Sequence, residues 1–128
     1  MNDYQQSNES CGIRLMRLMD THLRDIIRKE HSNGKSIHLY GTGGHWVAFE
    51  QSAYLLCQLF SGYEISVVTH AAYPFPVVMA GIPDQDLRTY SKRHIFKRDE
   101  ADYKELIASE IPPKQYQIWH RQEVQEFL

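Results

Sequence analysis

Across residues 12–29 the apolar positions fall at Leu15, Met16, Met19, Leu23, Ile26 and Ile27. That spacing draws one stripe along an amphipathic helix of about five turns. Ser10 stands where an N-cap would, and Asn33-Gly34 supplies the stop and turn. A short β-type run, Ile37-His38-Leu39-Tyr40, then enters Gly41-Thr42-Gly43-Gly44. The stretch that leaves the glycines, about residues 46–60, is long and apolar enough to predict a second helix. Phe49, Ala53, Leu56 and Phe60 lie on one side of it, and Val47, Leu55 and Leu59 spread the apolar surface further round. A helix of that kind is covered on most sides, and its surplus predicts a homodimer. Residues 65–70 predict a second strand, so residues 36–70 form a β-α-β unit that favours parallel pairing with a right-handed crossover.

The remainder alternates less clearly. Tyr73-Pro74-Phe75-Pro76 contains two prolines, which lack ladder donors and so exclude a central strand. Residues 77–80 predict a short strand, 84–90 a brief helix and 94–96 an edge strand. Residues 99–111 predict a helix stopped by Pro112-Pro113, followed by a last strand at 115–120 and a short helix at 121–128. The expected fold is α/β: one three-layer domain over residues 1–128, with a largely parallel central sheet of about 4–5 strands and helices on its faces. Residues 1–10 are expected to form a loose N-terminal segment.

Composition narrows the classes. The 128 residues carry 14 Lys and Arg against 16 Asp and Glu, a formal charge of −2, which makes a dedicated nucleic-acid binder unlikely. No stretch reaches the roughly 18 apolar residues of a membrane span. The polar start carries no signal-peptide pattern, and two cysteines, Cys11 and Cys57, make no disulfide framework. These features predict a cytoplasmic protein with free thiols. No cofactor is called for. No metal site is expected either, because none of the seven histidines has a spacing such as HxxxH or HxH.

Strand, glycine loop and helix together aim backbone N–H groups at an anion. Gly41, Thr42, Gly43, Gly44 and His45 are therefore candidate ligands for a small anionic molecule such as a sugar phosphate or nucleotide. With parallel strands, His45, His70 and His120 would gather at one sheet edge, where His70 and His45 are the candidate acid–base groups. Asn33-Gly34-Lys35, the strand Ile37-His38-Leu39-Tyr40 and Gly41-Thr42-Gly43-Gly44 together resemble the opening of the sugar-isomerase domain family. That resemblance implies a phosphosugar-gripping loop, with His45 where the family has a serine.

Two other readings come from elsewhere in the chain. Gln6-Ser7-Asn8-Glu9-Ser10-Cys11-Gly12 resembles the Q-x4-[DE]-C-G motif of papain-like cysteine peptidases, and Gly44-His45-Trp46-Val47-Ala48 resembles the strand carrying their histidine. The resemblance implies a cysteine hydrolase with Gln6 as oxyanion donor, Cys11 as nucleophile and His45 as base. A third reading is a non-enzymatic interaction module using the basic segment 88–98, which packs five Lys and Arg among aromatics before the acidic Asp99-Glu100-Ala101-Asp102.

Overall fold

The computed structural model describes residues 10–128, so the loose start expected for residues 1–10 falls almost wholly outside the described part. Helix α1 spans Cys11–His31, strand β1 Ser36–Gly41, β2 His45–Phe49, helix α2 Gln51–Leu59, β3 Glu64–His70 and β4 Tyr73–Pro83. Helix α3 (Asp84–Ser91), the short β5 (Arg98–Asp99), β6 (Tyr103–Ile107) and helix α4 (Pro113–Phe127) complete the chain.

The six strands form one sheet in the order β3-β4-β2-β1-β6-β5, and every pair is antiparallel. The largely parallel sheet is thus overturned, and with it the β-α-β crossover. The reason lies in residues 45–49, expected to be helical. They form β2, folded back on β1 by a tight hairpin, with Tyr40 opposite Val47 and Gly41 opposite Trp46. On its other side β2 pairs with β4 from His45↔Pro83 to Phe49↔Met79. A strand with partners on both edges and helices on both faces is apolar at almost every position, so it carries no alternation to distinguish it from a buried helix.

Side chains of alternate parity feed two cores. Met19, Leu23, Ile26 and Ile27 of α1 pack on Tyr40, Val47, Phe49, Val77 and Met79. The opposite face presents Ile37, Leu39, Trp46, Ala48, Ala80 and Ile82 to Ala53, Tyr54, Leu55 and Leu56 of α2. Helix α4 lies against this second core, with Trp119 and Tyr116 edge-on to Tyr54. The apolar surplus that predicted a homodimer is thus largely covered within one chain; Leu59 alone of that set stays well exposed, at 43%.

Three further segments differ from expectation. Residues 99–111 hold strand β6 where a helix was expected, and its residues Ser36↔Ile107 to Tyr40↔Tyr103 complete the far side of β1. Residues 115–120 belong to α4, with no last strand there, and Pro113 occupies its first turn, where a missing N–H costs nothing. The 94–96 edge strand is absent, its place taken by β5 at Arg98–Asp99. The proline argument holds in a narrower form. Tyr73-Pro74-Phe75-Pro76 does belong to β4, but β2 pairs only with Met79–Pro83, so the prolines lie where β4 has a single neighbour.

Candidate active site

The glycine loop is the turn of the β1–β2 hairpin, so no helix begins there. Thr42 N donates to His45 O at 3.0 Å, closing the turn, and Gly44 O accepts from Asp84 N at 2.9 Å. Gly43 sits at φ 106°, a backbone conformation that side chains rarely tolerate. These bonds leave His45 exposed as the first residue of β2, on the face that α1 covers.

Helix α1 brings the second group. Ser10 caps it, its hydroxyl accepting from Ile13 N at 3.1 Å, while Ser10 O accepts from Arg14 N at 3.1 Å. The N–H groups of Cys11 and Gly12 remain without hydrogen-bond partners among the described residues, as the first turn of any helix requires. Cys11 Sγ lies 3.7 Å from His45 Nδ1, a contact between residues 34 apart in sequence. A Cβ on Gly43 would stand 3.5 Å from that sulfur and 3.3 Å from Arg14 Nη1, so the turn lies directly against both side chains.

Beneath the first turn of α1 opens a cleft of about 190 Å³. Leu15, Val47 and Met79 give it apolar walls; Cys11, Thr42 and His45 lie along it, and Glu64, Ser66 and Pro83 complete the lining with Gly12, Gly62 and Gly81. Sheet register explains the hollow. Glu64 of β3 stands opposite Gly81, which stands opposite Val47. Gly81 contributes no side chain to this row, leaving a gap between the Glu64 carboxylate and Val47.

His45 has no carboxylate or amide on its second ring nitrogen among the described residues. The nearest acid in sequence beyond β4, Asp84, instead accepts from Trp46 Nε1 at 2.8 Å and from Arg88 at 2.6 Å. The indole bond, more than Arg88, holds its carboxyl below the usual range. The site is therefore a thiol–imidazole dyad. Gln6, the oxyanion donor implied by the cysteine-peptidase resemblance, lies outside the described residues.

The other candidate histidines are elsewhere. His70 stands opposite Tyr73 at the far end of β4 from Pro83, the partner of His45. Its Nε2 lies 2.7 Å from Asp20 Oδ1, and its Nδ1 accepts from Ala72 N. His120 is on α4, 2.7 Å from the buried Glu50 carboxylate. Antiparallel strands have no common carboxyl edge, so the three imidazoles do not gather. Among the described residues, no three His, Cys, Asp or Glu side chains come together as a metal site. No helix there is long and apolar enough to cross a membrane.

Cys57 offers an internal reference. It lies half-buried on α2, and burial, then the charge of Glu123, pushes its thiol up to about 12.

Glu64 and Gly81 were missed by reading the sequence. An isolated glycine inside the apolar run Val77-Val78-Met79-Ala80-Gly81-Ile82 was the available signal for Gly81, since a strand glycine marks a close approach or a gap. Glu64 carries no local signal. No family model, curated protein or solved structure matches this chain.

Proposed function

We propose that the protein is a cysteine hydrolase that cleaves acyl compounds, with Cys11 as nucleophile and His45 as base. The contact between Cys11 Sγ and His45 Nδ1 at 3.7 Å carries this reading. It joins the start of a helix to the start of a strand, over a cleft, and free enzymes commonly hold such pairs at slightly long range. His45 takes the thiol proton as the sulfur attacks the acyl carbon. The resulting oxyanion would be taken by the N–H groups of Cys11 and Gly12, which have no partner among the described residues. Collapse expels the leaving group, which takes the proton from His45, and leaves a thioester on Cys11. Water then attacks the thioester, giving its proton to His45, and the acid departs as the thiol regains its proton. A cytoplasmic setting suits this chemistry, because the nucleophile works only while reduced. The helix end that supported anion binding at Gly41, Thr42, Gly43 and Gly44 is absent, so the loop's part in this reading is to hold His45.

The test is alkylation by iodoacetamide, mapped by peptide mass, beside turnover of an activated ester such as 4-nitrophenyl acetate. Cys11 should label at least about 10-fold faster than an unstructured cysteine peptide near neutral pH. His45→Ala should remove most of that advantage and lower turnover by about 10²-fold or more. Labelling of Cys11 no faster than that peptide, with turnover indifferent to His45→Ala, would overturn the reading.

A further inference from the structure

Among the described residues, the lining of the Cys11 cleft holds one carboxylate, that of Glu64. Glu64 is exposed on β3, an edge strand, and pairs with no cation among the described residues. The nearest arginine, Arg14, lies against Gly43 beside the Cys11 sulfur but outside the lining of the cleft, and its guanidinium pairs with Asp102 at 3.6 Å.

Resting on the hydrolase reading, we propose that this cleft selects an acyl donor bearing a cation, an ammonium or guanidinium, on a short aliphatic stem. The stem would lie in the gap over Gly81 against Val47 and Met79, and the cation would meet Glu64. A carboxylate without a counter-ion among the described residues, at the end of an apolar slot, attracts a cation and repels an anion, and low-dielectric walls sharpen both effects. At about 190 Å³ the cleft is smaller than the roughly 300–1,000 Å³ of pockets that enclose drug-sized ligands, so it suits a single side chain.

Charged thiol reagents test this without requiring turnover. The full chain is treated with trimethylammonioethyl and sulfonatoethyl methanethiosulfonates, the rate at Cys11 is read by peptide mass, and the ratio is normalised to an unstructured cysteine peptide. The cationic reagent should be favoured about 10-fold, and Glu64→Gln should lower that preference about 5-fold. Glu64→Lys should reverse it. Gly81→Ala, whose Cβ would meet Trp46 O and Val47 Cγ1 at an ordinary 3.5 Å, should narrow the slot and slow both reagents while Trp46 fluorescence reports an intact fold. With 4-nitrophenyl esters carrying ammonium or carboxylate ends, Glu64→Gln should raise KM for the cationic ester and leave kcat unchanged. A reagent ratio unmoved by Glu64→Gln overturns the proposal even where esters turn over. A ratio that falls while no ester is cleaved sustains the charge selection and overturns the hydrolase reading.

Discussion

The two ends of α1 handle polar groups in opposite ways. At its start, Cys11 and His45 touch beside a cleft, and among the described residues two backbone N–H groups have no partner and Glu64 no counter-ion. At its end, Glu30 is fully buried yet paired on every side. Its Oε1 accepts from Ser52 N at 2.8 Å and Asn33 Nδ2 at 3.1 Å, and its Oε2 accepts from Ser52 Oγ at 2.7 Å. Ser52 Oγ in turn accepts from His38 N at 2.9 Å. This cluster ties α1 to α2 and β1. Saturated polar networks hold a fold in one arrangement, whereas groups left with spare bonding capacity beside a hollow are available to a substrate. The same helix supplies both, and the difference lies in what the sheet presents beneath each end.

Substitutions should separate the two ends. The largest effect is expected from Cys11→Ala, which removes all ester turnover while thermal unfolding shows no loss beyond about 0.5 kcal/mol, as for other partly exposed positions. Survival of turnover would end the assignment of chemistry to this end. Ser52→Ala should do the reverse. It leaves His38 N–H and a Glu30 oxygen unpaired at roughly 1–3 kcal/mol each, about 4 kcal/mol together, measurable by urea unfolding, with iodoacetamide labelling of Cys11 unchanged.

Glu30 makes the comparison pH-dependent. Burial, opposed by its hydrogen bonds from Ser52 and Asn33, pushes its carboxyl from 4.5 up to about 7. Between these values the folded chain holds a proton that the unfolded chain releases, so stability falls as pH rises through that window. The loss should reach at most about 3 kcal/mol, and Glu30→Gln should flatten it in unfolding curves taken from pH 4.5 to 7.5. The smallest effect belongs to Ser10→Ala, which deletes the α1 cap and should cost about 1 kcal/mol, seen as a small shift in the urea midpoint. A cap loss that also slowed labelling of Cys11 would show that helix fraying reaches the thiol.

Local signals carried α1, β1, β3 and α3 from sequence to structure with boundaries close to those expected. Each has a stripe, an alternation or a cap that depends only on near neighbours. The pairing of Cys11 with His45 entered only as an alternative to the glycine-loop site with His70, through the resemblance of the residues around each to a motif pair that implies proximity. The register that sets Gly81 between Glu64 and Val47 was not legible, nor was the burial of Glu30 under Ser52. Residues 45–60 show the difficulty most plainly: Glu50, at φ 53°, breaks the run between β2 and α2. Nothing in its residue type announces a positive φ. Its buried carboxylate accepts from Val78 N at 3.1 Å and faces His120 at 2.7 Å, partners 28 and 70 residues away.

Sequence alone thus determined the amphipathic first helix and the strand entering three glycines, and offered Cys11 with His45 as one of three readings. Tertiary structure alone decided that the strands run antiparallel, that the glycines close a hairpin, and that Cys11 and His45 share a cleft with Glu64. A helix satisfies its backbone within four residues, so its signal is local. A strand's hydrogen bonds go to partners tens of residues away, as β1 and β6 do here across more than sixty, and no window along the chain contains both sides of that choice.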